Sequence, residues 1–234
     1  MWTMIKCLVS WSSGKDSAWM VHVMRRRADV DIGALLTTVN EAAQRVAMHA
    51  VRIDLLQAQA AALGVPLWTV PIPSPCPNDV YERAMSAAVA RAVGEGFTHI
   101  AFGDLFLEDI RRYREEKLAG TGLTPLFPLF STNRADTARL AREMVSAGLG
   151  ARITCVDPKV LDRSFAGREF DSSLLDELPP SVDPCGERGE FHTFAYRGPM
   201  FAREISIDTG MTVERDGFVF TDLQWRRTPI ASSV

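Results

Sequence analysis

Short apolar runs alternate with stretches of helical spacing along the first half of the chain. The apolar runs are rich in β-branched residues, and they predict strands at 5–10, 31–39, 67–72 and 99–102. Between and after them, helices are predicted at 17–27, 47–63, 78–93 and 105–118. Alternation of this kind predicts an α/β fold, with a parallel sheet and right-handed crossovers.

The second half has a different pattern. A helix is predicted at 132–147 and a strand at 151–156, followed by helical or irregular segments to residue 178. Residues 202–225 alternate like antiparallel strands, and Asp216-Gly217 is a good hairpin turn between them. We therefore predict two domains, 1–125 with the parallel sheet and 126–234 with a smaller mixed α+β structure.

Small residues follow the first predicted strand, in the order Ser10-Trp11-Ser12-Ser13-Gly14-Lys15-Asp16-Ser17. A strand, a tight turn and a helix start bind anions well, because backbone N–H groups and the positive end of the helix dipole face the ligand. Lys15 can add a mobile cation, and the hydroxyls of Ser12 and Ser17 can donate to phosphate oxygens. The spacing is not a Walker A loop, since Val9 stands where its first glycine is needed. An ordinary turn that caps a helix is the alternative.

Two other strand ends are expected at the same edge of the sheet. Ligands of such sheets bind outside the carboxyl ends of the strands, where the strand order reverses. Thr38 ends the second strand and Gly103-Asp104 follows the fourth. Asp104 and Glu108 are candidate metal or substrate groups, although a salt-bridged surface helix also explains the charges after residue 104.

A second stretch with reactive side chains runs from Asp183 to Thr193. If residues 190–194 are extended, Glu190 and His192 point to the same side, and Glu187 lies just before them. Two carboxylates and an imidazole can bind a divalent metal, recognise a cation or transfer protons. A structural histidine is the alternative for His192.

Composition narrows the function classes. Of the 234 residues, 47% are hydrophobic and 24% charged, which is typical of a globular protein, and the net charge of −3 argues against a chain that coats nucleic acid. No apolar run approaches the length of a membrane span and the N-terminus lacks a signal-peptide layout, so a cytoplasmic protein is expected. The four cysteines are too widely spaced for a zinc knuckle. An aromatic cluster at residues 218–225 fits a hydrophobic core better than a dimer interface. A homodimer is the alternative.

Together these segments resemble the diphthine–ammonia ligases among the PP-loop ATP pyrophosphatases. Ser12, Gly14, Asp16 and Ser17 match the Ser-Gly-Gly-x-Asp-Ser loop of that superfamily, and Ser13 replaces its first glycine. The similarity covers nearly the whole chain, through residues 103–104, 107–111, 113–115, 127–129, 167–168, 183–193 and 198–199.

The resemblance implies a Rossmann-like sheet of the adenine-nucleotide α-hydrolase type and a smaller C-terminal domain that shapes the substrate site. It also implies a reaction. ATP adenylates a carboxylate and releases pyrophosphate, and ammonia then converts the acyl-adenylate into an amide and AMP. In authentic members the acceptor is diphthine, a modified histidine of elongation factor 2. A related pyrophosphatase with another acceptor, which is expected if the chain is bacterial, and a non-catalytic nucleotide sensor are the alternatives.

Residue roles follow from the resemblance. ATP would contact the loop and two strand ends, through Ser10, Ser12, Ser13, Gly14, Lys15, Asp16, Ser17, Thr38, Gly103 and Asp104. Asp16 would orient Mg²⁺ or brace the loop, and Asp104 and Glu108 would hold Mg²⁺ or ammonium. The acceptor would face Glu187, Glu190, His192 and Thr193, with Glu190 or His192 taking a proton from ammonia. The expected catalytic residues are Lys15, Asp16, Glu190 and His192.

Overall fold

The computed structural model describes residues 4–46, 50–131, 133 and 136–226. The apolar runs of the N-terminal half form its first sheet. Its strands are β1 (Ile5–Ser10), β2 (Val30–Asn40), β3 (Arg45–Val46), β4 (Leu67–Ile72), β5 (His99–Ala101) and β6 (Thr124–Leu126). β1 pairs in parallel with β2 on one side and with β5 on the other. β4 extends the sheet beyond β2, and β6 extends it beyond β5, again in parallel. The predicted parallel sheet is confirmed.

The strand order reverses at β1. Four helices belong to this half, namely α1 (Lys15–Arg25), α2 (Ile53–Leu63), α3 (Asn78–Gly94) and α4 (Glu108–Leu118). The chain passes from β1 to β2 and β4 on one side, and α3 then leads to β5 on the other side. The loops after β1 and β5 therefore meet at the carboxyl edge. A Cβ on Gly103 would lie 3.3 Å from backbone atoms of both Asp16 and Ser17, so a side chain there would push these loops apart.

The second sheet is antiparallel, with the strand order β8-β7-β10-β9. Its strands are β7 (Gly150–Val156), β8 (Phe191–Arg197), β9 (Ile207–Arg215) and β10 (Phe218–Trp225), and α5 (Asp136–Ser146) and α6 (Ser172–Glu177) lie in the same half. Asp216 and Gly217 connect β9 to β10 with positive φ angles of 54° and 82°, as a tight two-residue hairpin turn requires. The predicted hairpin is confirmed.

The main hydrophobic core extends across both halves of the chain. It includes Met20 of α1 and Leu55 of α2, together with Phe194 of β8 and Val219 of β10. Burial of apolar surface is the main favourable term in folding, so the two halves stabilise each other. A second apolar cluster, on the other face of the first sheet, packs against α3. The domain boundary near residue 125 falls within β6 and stays a prediction.

Two short strands are not predicted by the sequence pattern. β3 has two residues, too few to show a period, and pairs antiparallel with the end of β2. β6 contains Pro125 and lies at the predicted boundary between the two domains. Proline cannot donate to a strand ladder but is tolerated at a sheet edge, and β6 is the outermost strand.

Two helix starts also differ from the prediction. α1 begins at Lys15 rather than Ser17, because Gly14 is already the extended residue before the helix (φ −81°, ψ 172°). α4 begins at Glu108 rather than Leu105, whose buried backbone N–H donates to a side chain of the second half. The predicted starts of α2 and α5, at residues 47 and 132, lie outside the described residues, but residues 50–52 are not helical, so α2 begins at Ile53 rather than at residue 47. Within the described ranges, no helix combines the length and apolar character needed to cross a membrane.

Candidate active site

The loop between β1 and α1 is a tight turn held by its own hydroxyl groups. The N–H of Gly14 donates to Ser12 Oγ at 3.3 Å, and Ser12 Oγ lies 3.2 Å from Ser17 Oγ. Ser17 Oγ in turn donates to the carbonyl of Gly14 at 2.9 Å. The first N–H groups of α1 and the positive end of its dipole face this turn. The segment thus has the strand–turn–helix geometry that the anion-binding prediction requires.

Ser13 has a left-handed backbone conformation, with a φ of 71°. Only glycine adopts this conformation without a steric cost, so the backbone at Ser13 is strained. The side chain is fully buried, and its hydroxyl has no hydrogen-bond partner among the described residues. Ser13 lines neither of the cavities at the site, so its backbone rather than its side chain serves the loop.

The loop is clamped to the second sheet by Gln59 and β8. The carbonyl of Ser13 accepts the N–H of Ala195 at 3.0 Å and Gln59 Nε2 at 2.9 Å. Gln59 Nε2 also donates to the carbonyl of Ala195 at 2.6 Å, and its Oε1 accepts Trp11 Nε1 at 3.1 Å. Gln59 is fully buried, so these bonds are shielded from water. One amide therefore fixes the loop on both sides of Ser12.

Lys15 extends into the second half of the molecule. Its ammonium donates to both carboxylate oxygens of Asp16, at 2.8 and 3.1 Å, and to the carbonyl of Cys185. The rings of Phe170 and Phe191 lie 5.3 and 5.4 Å from it, within cation–π range. Burial lowers the pKa of Lys15, but Asp16, Cys185 and Glu187 together outweigh burial, and the pKa is raised. The mobile cation expected from the sequence is therefore fixed, and these contacts favour the bracing role for Asp16.

Asp183 and Glu190 fold the second chemical stretch. Glu190 is 5% exposed, and its two carboxylate oxygens accept the N–H groups of Asp183 and Arg188, both at 2.9 Å. Asp183 is fully buried and accepts the N–H of Cys185 at 2.9 Å. The structure thus corrects the expectation that Glu190 faces an acceptor beside His192. β8 begins one residue after Glu190, which lies in a turn where backbone donors take up its carboxylate.

Glu187 lies in the wall of the site, between the two halves. Its Oε1 accepts the N–H of Leu105 at 2.7 Å. The pKa of Glu187 is raised to about 8, mainly by burial and also by the carboxylates of Asp16 and Asp104, although the hydrogen bond from Leu105 opposes the shift. A carboxyl group that titrates near neutral pH can both take and give a proton during a reaction.

Asp104 forms an ion pair with Arg114 of α4. Arg114 Nε donates to Asp104 Oδ2 at 2.6 Å and Nη2 donates to Oδ1 at 3.1 Å. The guanidinium also lies over the ring of Phe102, 4.2 Å from the centroid. Glu108 is exposed in the first turn of α4 and lines neither cavity of the site, so the structure does not bring it together with Asp104.

Two cavities meet over the loop and form one cleft. The smaller, about 280 Å³, is the polar lobe, and the predicted residues that line it are Ser10, Ser12, Lys15, Asp16, Ser17, Gly103, Asp104, Glu187, His192 and Thr193. The larger, about 640 Å³, is the wide lobe, and it extends over the ends of β2 and β4, where Thr38 and Ile72 line it, and to Tyr81 of α3. The residues that line both lobes are Ser10, Ser12, Arg114 and His192.

His192 and Thr193 bring β8 to the loop. The hydroxyl of Thr193 accepts the N–H of Lys15 at 3.0 Å, at the first residue of α1. Burial, with a smaller contribution from the positive charge of Lys15, lowers the pKa of His192 to about 4. The imidazole is therefore neutral at pH 7 and adds no charge to the cleft.

The carboxylates of the cleft fit a metal ion only in part. Both oxygens of Asp16 bond to Lys15, and both oxygens of Asp104 bond to Arg114. In the part of the chain that the structure describes, no group of three or more His, Cys, Asp or Glu side chains could hold a metal ion. Magnesium often binds through one or two carboxylates and the phosphates of a substrate. The donor set therefore fits an ion that enters with a nucleotide better than a resident one.

Models of known protein families match both parts of the chain that form the cleft. The family model of the diphthamide synthase N-terminal domain matches residues 5–116, and that of the C-terminal domain matches residues 136–224. The chain belongs to the diphthamide synthase family. The loop at 10–17 lies within the first match and the stretch at 183–193 within the second, so the family covers the whole cleft.

Curated relatives agree with this assignment. The diphthine–ammonia ligase of Bos taurus is 30% identical over 200 residues, which cover 79% of this chain and 72% of that protein. The diphthine–ammonia ligase of Danio rerio is 35% identical over 128 residues, covering 52% of this chain and 49% of the relative. The one of Homo sapiens is 32% identical over 127 residues, covering 52% and 46%. The matches to the last two thus span about half the length of those relatives.

Sequence reasoning missed three residues that build the site. Gln59 is the polar residue between Ala58 and Ala60 on the buried face of α2, and that interruption of an apolar face is a readable signal. Arg114 stands among many charges of α4, where pattern cannot separate it from surface residues. Asp183 opens the second stretch and was included in it, but without a role.

Proposed function

We propose that the protein is an ATP-dependent, AMP-forming amide ligase that adenylates a carboxylate and transfers ammonia to it. The observation that supports this best is the shared cleft, in which the β1–α1 loop meets Glu187, His192 and Thr193. A nucleotide-binding sensor needs the loop but not a second wall with a titrating carboxyl group. The names of the relatives support the same reaction.

The two lobes suit the two ends of ATP. The polar lobe offers the loop hydroxyls and the start of α1 to the phosphates. The wide lobe is large enough for adenosine and has apolar walls, including Met85 and Phe102, beside Thr38. Mg²⁺ carried by the nucleotide would be held near Asp16 and Asp104, where it would offset the charge of the departing pyrophosphate.

The second step needs a proton acceptor, and Glu187 fits that role best. Ammonia attacks the acyl carbon, the bond from that carbon to the AMP oxygen breaks, and AMP leaves with the electron pair. The nitrogen loses a proton, which Glu187 in its ionised form takes up. Its pKa of about 8 makes it a stronger base than an ordinary carboxylate. We assign this role to Glu187 rather than to Glu190, because backbone N–H groups already donate to both carboxylate oxygens of Glu190.

Diphthine of elongation factor 2 is the first candidate acceptor, because the relatives are named for diphthine. Another carboxylate is the second candidate. Arg188 adds a positive charge to the turn between Glu187 and Glu190, and this charge is unfavourable for the trimethylammonium group of diphthine. Both classes of acceptor therefore belong in the test.

The test is the dependence of AMP release on each reactant. Purified protein is incubated with ATP labelled in the α-phosphate, Mg²⁺, ammonium and either diphthine-bearing elongation factor 2 or a panel of small carboxylates. We expect AMP and pyrophosphate in equal amounts, only when acceptor and ammonium are both present. Tight ATP binding with no AMP from any acceptor would favour the sensor instead.

A pair of matched variants tests the proton acceptor. Glu187→Gln should slow amide formation while ATP binding is retained. Glu204→Gln is the control, since Glu204 is exposed and lines neither lobe. Loss of ATP binding in Glu187→Gln would show that Glu187 serves the nucleotide and not the ammonia step.

A further inference from the structure

We propose that Arg114 binds the α-phosphoryl group of ATP at the junction of the polar and wide lobes, and stabilises the charge that develops there as pyrophosphate leaves. The inference rests on the proposed function and deepens it, because it names a residue that contacts the reacting group. The resemblance assigned no role to this arginine.

The position of Arg114 supports the proposal first. A nucleotide with its phosphates in the polar lobe and its adenosine in the wide lobe has its α-phosphoryl group where the lobes meet. Four residues line both lobes, and three of them are uncharged, namely Ser10, Ser12 and the neutral His192. Arg114 is therefore the cation at this junction.

The hydrogen bonds of the two cations in the cleft give the second argument. Among the described residues that line the two lobes, only Lys15 and Arg114 carry a positive charge. The ammonium of Lys15 already donates to Asp16 and to the carbonyl of Cys185. Arg114 donates to Asp104 through Nε and Nη2, whereas its Nη1 donates to none of the described residues. Both N–H groups of Nη1 and the second N–H of Nη2 thus remain for an anion.

The guanidinium is also held in place before any ligand binds. Its ion pair with Asp104 is bidentate, at 2.6 and 3.1 Å, and one face lies over the ring of Phe102. The side chain is 30% exposed, so a ligand can reach it. A preorganised donor loses little entropy when it binds, and such donors stabilise developing charge more than mobile ones do.

The role in the reaction is electrostatic. An oxygen of the acceptor carboxylate forms a bond to the α-phosphorus, the bond from that phosphorus to the α–β bridging oxygen breaks, and the electron pair leaves with pyrophosphate. Arg114 contacts non-bridging oxygens of the α-phosphoryl group throughout and transfers no proton. The same contact holds AMP, which has that group, but not adenosine, which lacks it.

The test is therefore the ratio of AMP affinity to adenosine affinity, measured by calorimetry without turnover. We expect Arg114→Met to weaken AMP binding by about 10- to 100-fold, because charge-assisted hydrogen bonds are lost, with adenosine binding nearly unchanged. Arg112→Met is the control, since Arg112 is exposed on the same helix and lines neither lobe. In turnover, the rate of AMP formation should fall by about 10²- to 10³-fold in Arg114→Met.

An unchanged affinity ratio in folded Arg114→Met would overturn the proposal, as would a wild-type protein that binds adenosine as tightly as AMP. If Arg114→Met does not fold, Arg114→Lys decides the question. Lysine keeps the charge but loses the fork, so the affinity ratio should fall less, yet measurably, and no fall would refute the role. Failure of the proposed function has a different result, namely a wild-type protein that forms no AMP while its affinity ratio still depends on Arg114.

Discussion

Replacing Ser13 with glycine should stabilise the protein. Two features of Ser13 are unfavourable in the folded state. A non-glycine residue in the left-handed region costs about 1–2 kcal/mol, and φ at this position is 71°. A buried hydroxyl without a partner costs about 1–3 kcal/mol, and Ser13 Oγ has none among the described residues. Glycine removes both.

Against this gain stands the greater freedom of glycine in the unfolded chain, which costs about 0.5–1 kcal/mol. The net stabilisation should be about 3 kcal/mol, equivalent to a rise in Tm of about 6–12 °C for a chain of this size. Ser13→Ala separates the two contributions. It removes the hydroxyl but keeps a Cβ in the left-handed conformation, so its stability should lie between those of wild type and Ser13→Gly.

The assay is equilibrium unfolding in guanidinium chloride without nucleotide, with all three proteins at one pH. Equal slopes with denaturant concentration would show that the three proteins expose the same surface on unfolding, so that their midpoints report stability directly. The reasoning is refuted if Ser13→Gly is no more stable than Ser13→Ala, because the backbone conformation would then have no cost. Since residue 13 contributes its carbonyl to the clamp, ATP binding should be retained in both variants.

Two further predictions concern buried polar groups. The pKa of Glu187 is about 8 in the folded protein and 4.5 in its ordinary state, so the folded form binds one more proton between these values. The extra proton stabilises the folded form, and this contribution is present below pH 4.5 and lost as pH rises through 8, at up to about 1.4 kcal/mol per pH unit. In unfolding experiments, equal pH slopes of the free energy of unfolding for wild type and Glu187→Gln would contradict this prediction. Gln59→Leu should destabilise the protein by about 3 kcal/mol, because Trp11 Nε1 and the carbonyl of Ala195 lose buried partners. Gln57→Leu, at an exposed position of the same helix, is the control and should change stability by less than about 0.5 kcal/mol. If both variants had a similar effect, the hydrogen bonds of Gln59 would not be what stabilises the loop.

Much of the fold could be predicted because its strands are continuous apolar runs. β1 and β4 have the predicted bounds, and the turn at Asp216-Gly217 has the chemistry that a two-residue hairpin needs. The pattern fails where an element is too short to show a period, as in β3, or where an edge position tolerates a residue that breaks inner strands, as with Pro125 in β6.

The site was predictable at the level of segments but less so at the level of side chains. The β1–α1 loop and residues 183–193 line one cleft, as the positions of the strand ends and the family resemblance implied. The direction of the Glu190 side chain depends on which backbone N–H groups the surrounding turn presents. The direction of the Lys15 side chain depends on the buried carbonyl of Cys185, to which its ammonium donates. Such partners are set by tertiary packing, and residue spacing alone does not reveal them.

Transfer of oxygen from the acceptor to AMP is the most direct test of the central claim. The acceptor carboxylate is labelled with ¹⁸O, ATP and ammonium are added, and the AMP is analysed by mass spectrometry. Adenylation places one carboxylate oxygen on the phosphorus, so ammonia attack on the acyl carbon should leave one ¹⁸O in each AMP. AMP without ¹⁸O, or ADP in place of AMP, would contradict the account.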